Sequence, residues 1–120
     1  VANEDIQIPS YSDLLRPTLN ALAQLEGGGS NESVDEKVIE VAGLSAEQMA
    51  VEFEPEQSQT GSKVLHRTAW ARTSLKKAKL IENPKRGHWT LLDAGREILN
   101  MEPHEADQLL ADLDQQVRKA

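Results

Sequence analysis

Residues 61–91 read GSKVLHRTAWARTSLKKAKLIENPKRGHWTL. Val64, Thr68, Ala71, Leu75 and Ala78 recur at alternating steps of four and three. This spacing predicts an amphipathic helix from about Ser62 to Ala78 with that set facing inward. Lys63, His66, Arg67, Trp70, Thr73, Ser74 and Lys77 fall on the other side, and Arg72, Lys76 and Lys79 flank the stripe along its second edge. Leu80-Ile81-Glu82 then reads as a short strand, Asn83-Pro84-Lys85-Arg86-Gly87 as turn chemistry and His88–Leu91 as the returning strand. A basic helix is thus followed by a hairpin with a basic tip.

Charge is segregated in the same way. Residues 61–91 hold eight Lys and Arg side chains against one acid, Glu82, for a net charge of +7. The rest of the chain is −14, and the whole is −7. Cationic surface confined to one helix and one hairpin, with the remainder repulsive to polyanions, is the electrostatic footprint of a nucleic-acid-binding domain.

The flanking sequence completes a fold. Ser10 is a candidate helix cap with Asp13 three residues on. Leu14, Leu15, Thr18, Leu19, Leu22 and Leu25 follow at helical spacing, with Pro17 either kinking the helix or lying in its first turn. Gly27-Gly28-Gly29 reads as a flexible loop; it lacks the Lys-Ser/Thr that would make it a phosphate cradle. Asn31 or Ser33 can cap a second helix carrying Val34, Val38, Ile39, Val41 and Ala42, closed by Gly43. Ser45 caps a short turn of helix over Ala46–Val51, and Glu52–Ser62 reads as a loop. Beyond the hairpin, Asp93–Met101 and Pro103–Arg118 read as helices. The last is acidic, with Ala106, Leu109, Leu110, Leu113 and Val117 as its apolar stripe. Its acids, Glu102, Glu105, Asp107, Asp112 and Asp114, are expected to keep it off DNA.

Helix, helix, basic helix, hairpin is the element order of a winged helix-turn-helix. The expected fold is therefore mainly α: a helical bundle with a two-stranded β-hairpin wing, plus a C-terminal helix. In this architecture the third helix enters the ~12 Å major groove and the wing reaches the backbone or the neighbouring minor groove. The expected division is a flexible segment over residues 1–7, the winged helix over 8–102, and an acidic helix or linker over 103–120. The composition excludes other classes. There is no cysteine, hence no thiolate nucleophile or disulfide, no apolar run approaches the ~18 residues of a membrane span, and no signal sequence is visible. A cytoplasmic location is expected. His66, His88 and His104 lack metal-ligand spacing, and no metal or cofactor is expected.

Three stretches carry a resemblance: Tyr11-Ser-Asp-Leu-Leu-Arg-Pro17; Arg67-Thr-Ala-Trp70 through Leu75-Lys-Lys-Ala-Lys-Leu80-Ile81, with Asn83-Pro-Lys-Arg-Gly-His-Trp89; and Gly95-Arg-Glu-Ile-Leu99. Over about Ile8 to Asn100 the chain resembles the N-terminal winged-helix domain of Mrr-type restriction endonucleases. The resemblance implies recognition of duplex DNA, foreign and often base-modified. It places cleavage in a separate nuclease domain with Asp/Glu-x-Lys chemistry, so this chain is not expected to be an enzyme. Asp35-Glu36-Lys37 has that spacing, but on an expected exposed helix without a strand partner. Two positions depart from the family pattern. Lys79 stands where Gly is usual, at a helix end that favours left-handed backbone, and Leu92 stands where a capping Thr is usual, with Asp93 as a substitute cap.

The candidate DNA contacts follow from helix and wing position. Gln59, Thr60, Ser62, Lys63, His66 and Arg67 lie near the start of the basic helix, where base edges are read. Arg67 suits guanine and Gln59 suits adenine, with a phosphate contact or an internal salt bridge as the equal alternative for Arg67. Thr73, Lys76 and Lys77 suit phosphates, and Lys85, Arg86 and His88 sit on the wing. Trp70 and Trp89 are expected to pack the helix against the hairpin, with stacking on a base as the alternative. The final helix serves either as a dimer contact or as a connection. Two other functions fit the same residues: a dimeric winged-helix transcriptional regulator, and a protein-interaction module whose basic face meets an acidic partner.

Overall fold

The computed structural model describes residues 6–51 and 62–119. Ser10 is not the N-cap of the first element, which is Tyr11 without a side-chain cap bond, but it pairs reciprocally with Asp13. Its hydroxyl accepts from the Asp13 amide while the Asp13 carboxylate accepts from the Ser10 amide, at 3.2 and 3.1 Å. A 3-10 turn over Ser12–Leu14 leads into α1, Leu15–Gln24, with Pro17 in its first turn. Leu15, Thr18, Leu19, Ala21 and Leu22 are buried along one face, and α1 becomes the central strut of the domain.

Gly28 and Gly29 belong to a strand, which corrects the reading of residues 27–29 as a flexible loop, while Gly27 stays in the turn before it. β1, Gly28–Ser30, pairs antiparallel with β3, His88–Leu91, and β3 pairs with β2, Ile81–Lys85. The sheet therefore has three strands in the order β1-β3-β2, one more than the hairpin alone provides. Glycine at position 28 is what permits the pairing: a Cβ there would lie 2.5 Å from the Trp89 carbonyl oxygen. β2 runs past Asn83 and Pro84 to Lys85 with an irregularity in register, and the turn is reduced to Arg86-Gly87, where Gly87 has φ +79°.

α2, Asn31–Ala42, is capped by Ser30, not by Asn31 or Ser33. The Ser30 hydroxyl accepts from the Ser33 amide. Gly43 ends it in the left-handed conformation, as its position predicts. α3, Ala46–Met49, carries a full capping box between Ser45 and Gln48. The basic helix α4 spans Lys63–Lys77 with Ser62 as cap. Lys79 follows with φ +64°, the left-handed geometry that its place after the helix suggested.

α5, Asp93–Leu99, has no side-chain cap, so Asp93 does not replace the missing threonine at Leu92. Gly95 lets α5 approach the sheet closely: a Cβ would meet the Leu80 carbonyl at 2.6 Å and the Leu91 Cδ1 at 2.7 Å. α6, Pro103–Lys119, lies against the same core through Ala106 and Leu110, with Leu109 and Leu113 packed beside them. Its apolar stripe thus packs on its own chain, with Leu109, Leu113 and Val117 partly buried. Asp114 is on that inner side, 4% exposed, and not among the solvent-facing acids. The core joins Leu14, Leu19 and Leu22 to Val34, Val38, Leu75, Ile81 and Ile98. The result is a mainly helical winged-helix-like fold.

Candidate nucleic-acid interface

The inner face of α4 comprises Val64, Thr68, Ala71, Arg72, Ser74 and Leu75. Thr68 returns its hydroxyl to the Val64 carbonyl at 2.9 Å, which satisfies that buried polar group. The opposite arc carries Trp70, Thr73, Lys76 and Lys77, all exposed, with Lys63 and His66 half-buried toward the N-terminal end. Thr73 bonds back to the Ala69 carbonyl at 3.2 Å. No acidic residue occupies the first turn, so the positive end of the helix dipole is not offset there.

The wing adjoins this helix. Arg72 places its guanidinium over the Trp89 ring, 5.6 Å from the centroid, and also bonds to Asp35 on α2. Trp89 donates its indole N–H to Asn31 Oδ1 at 2.6 Å, and the Asn31 amide donates to the Gly87 carbonyl at 2.9 Å. Asn83 closes the tip by donating to the Lys85 and His88 carbonyls at 2.9 and 2.6 Å. The wing is therefore fixed at its base and across its tip. Lys85 and Arg86 project from it exposed, and His88 is half-buried on the return strand.

Not every expected contact residue faces solvent. Arg67 is half-buried and donates from Nη1 to the Pro9 carbonyl at 2.8 Å, tying the N-terminal segment to α4. Arg72 is 6% exposed and internal, so one of the eight segment cations is not surface charge. Ser62 acts as the helix cap, accepting from the Leu65 amide at 3.4 Å. Gln59 and Thr60 lie outside the described residues. Trp70 does not pack the helix against the hairpin as expected: it is 60% exposed. Trp89 does. Among the described residues, no hydrogen bond or ion pair engages the side chains of Lys76, Lys77, Lys79, Lys85 or Arg86. The structure thus leaves two groups of exposed cations, one on the outer arc of α4 and one on the wing.

The sequence reading missed two internal polar clusters. Asp35 is half-buried beside Arg72, not on an exposed surface, and burial raises its carboxyl above the usual range against the opposing pull of Arg72. Asp114 accepts from the Tyr11 hydroxyl at 2.7 Å and the Ser74 hydroxyl at 2.6 Å, and pairs with Arg118 at 3.3 Å. Both were detectable by register. Arg72 lies four residues past Thr68 and eight past Val64, and Asp114 lies four past Leu110 and eight past Ala106, so each continues a buried ladder.

Among the described residues no group of three or more His, Cys, Asp or Glu could hold a metal ion, and no helix is long and apolar enough to cross a membrane. No curated protein and no solved structure gives a significant match. The family model described as the Mrr N-terminal domain matches residues 11–101, from the aromatic at the start of the first turn to the end of α5. That model is of an N-terminal domain and not of a catalytic nuclease domain. With the match spanning most of the chain, and the winged-helix-like fold in agreement, this protein belongs to the Mrr N-terminal domain family.

Proposed function

We propose that this chain binds duplex DNA through α4 and the wing, as the DNA-recognition domain of a restriction endonuclease directed at foreign or modified DNA. The observation that carries this reading is the distribution of exposed cations. Lys76 and Lys77 on α4, and Lys85 and Arg86 on the wing, have no internal anionic partner among the described residues, in a chain whose net charge is −7. Elsewhere Arg16, Lys37 and Arg118 are matched to carboxylates, while Arg96 on α5 and Lys119 at the end of α6 stand apart from the helix-and-wing group without an ion pair among the described residues. Surface cations left unmatched on one helix and its adjoining hairpin suit phosphate contact.

Base reading falls to the N-terminal half of α4. His66 is placed on its outer arc. Arg67 reaches a base only by exchanging its bond to Pro9, so it fits the internal role better. The restriction context rests on family membership, and selectivity for modified bases rests on the same ground.

A competition experiment tests the reading. Labelled duplex DNA bound to the chain is challenged with unlabelled duplex and with heparin of matched charge. Duplex should displace the label at lower charge concentration than heparin. Equal displacement would favour a general anion-binding or protein-interaction surface instead. Repeating the titration with methylated and unmethylated duplexes of one sequence tests modification sensing separately.

A further inference from the structure

We propose that the cleft between α4 and α6 seats a single unpaired nucleobase of the bound DNA, stacked on Trp70. This rests on the DNA-binding reading above and adds a site to it. The cleft has a volume of about 330 Å³ and is lined by Tyr11, Trp70, Thr73, Lys77, Asp114 and Arg118. Thr73 and Lys77 belong to the outer arc of α4, so the cleft opens beside the proposed phosphate contacts. Its size is near the lower end of the ~300–1,000 Å³ typical of ligand sites, which suits one planar ring system.

The walls are aromatic and held in place. Tyr11 and Trp70 meet edge to face with centroids 6.3 Å apart. Arg118 covers the Tyr11 ring at 6.0 Å, which leaves the Trp70 indole as the open aromatic surface. Asp114 is buried and accepts from both Tyr11 and Ser74, so three elements of the chain fix the cleft before any ligand arrives. A site built in advance loses little freedom on binding.

The chemistry of the rim selects the occupant. A single exposed aromatic is ordinary on a protein surface. Here it is flanked by Lys77, an exposed cation of the outer arc that suits a phosphate beside a displaced base. Asp114 does not repel the strand, because Arg118 and two hydroxyl donors already engage its charge. Base–aromatic stacking is sequence-tolerant, so the site would read displacement of a base before its identity.

The test compares two duplexes of one sequence, one intact and one with a single extrahelical 2-aminopurine. The wild-type chain should bind the second about tenfold more tightly and quench its fluorescence. Trp70→Ala should abolish the quenching and bring the ratio of the two affinities to about one, whatever its affinity for the intact duplex. Equal affinity of the wild type for both duplexes overturns the proposal, as does a preference that survives Trp70→Ala. A uniform loss on both duplexes overturns it too, by making Trp70 a general contact. Failure of the wild type to bind either duplex would overturn the DNA-binding reading itself, and this site with it.

Discussion

Arg72 of α4 and Asp35 of α2 form an ion pair roofed by the Trp89 ring, and through it the basic helix, the second helix and the wing are held as one unit. Arg72 Nε has no hydrogen-bond partner and is buried. The pair is therefore an incompletely satisfied buried charge cluster, in which desolvation offsets much of the attraction.

Asp35→Ala should destabilise the fold by about 3 kcal/mol, because it leaves the guanidinium buried without a counter-charge. Replacing both partners together, Asp35→Leu with Arg72→Met, should recover most of that loss. Urea denaturation of the three chains checks both statements. A double variant as unstable as the single one would mean that the pair itself, and not the orphaned charge, supplies the stability.

Lys79 occupies left-handed backbone at φ +64°, which costs a non-glycine residue roughly 1 kcal/mol. Lys79→Gly should therefore stabilise the domain, by about 0.5–1 kcal/mol in urea unfolding. The same change removes an exposed cation, so affinity for duplex DNA should fall slightly as stability rises. A destabilised variant would show that the Lys79 side chain makes a contact worth more than the backbone strain.

Tyr11 is the sole tyrosine, so its ionisation can be followed directly by tyrosinate absorbance. Burial, then the hydrogen bond to Asp114 and the charge of that carboxylate, raise its pKa above the ordinary value of 10.0, with Arg118 opposing. The folded value exceeds the unfolded one, so this group's share of stability is present below about pH 10 and is lost as pH rises through the folded value. The absorbance midpoint should lie above 10 in the native chain and return to the ordinary value in denaturing urea. The stability difference between wild type and Tyr11→Phe should shrink over the same alkaline range. A native midpoint at or below the ordinary value would contradict the Tyr11–Asp114 contact.

Periodicity made the helices legible. The Val64-Thr68-Ala71-Leu75 ladder and the turn chemistry of Asn83–Gly87 point to α4 and the wing from sequence alone, although the turn itself narrows to Arg86-Gly87. β1 was not legible. Gly28 and Gly29 have poor strand propensity, and their pairing depends on close approach to Trp89, a long-range fact that no local pattern carries. Trp70 misled for the opposite reason. Large aromatics are buried on average, and only the three-dimensional position of α6 shows that its neighbour on the outer arc is a cleft. Charge counting located the basic segment but could not separate Arg67 and Arg72, which bond within the chain, from Lys76, Lys77, Lys85 and Arg86, which do not.

The salt dependence of duplex binding tests the central claim most directly. The observed association constant should fall steeply with salt for the wild type. For a chain carrying Lys76→Ala, Lys77→Ala, Lys85→Ala and Arg86→Ala, the logarithmic slope should be shallower by roughly three to four, since each phosphate contact contributes about 0.9. All four side chains are exposed, so the variant should keep the wild-type unfolding midpoint. A slope and affinity unchanged by the four substitutions would contradict the assignment of α4 and the wing as the DNA-binding surface.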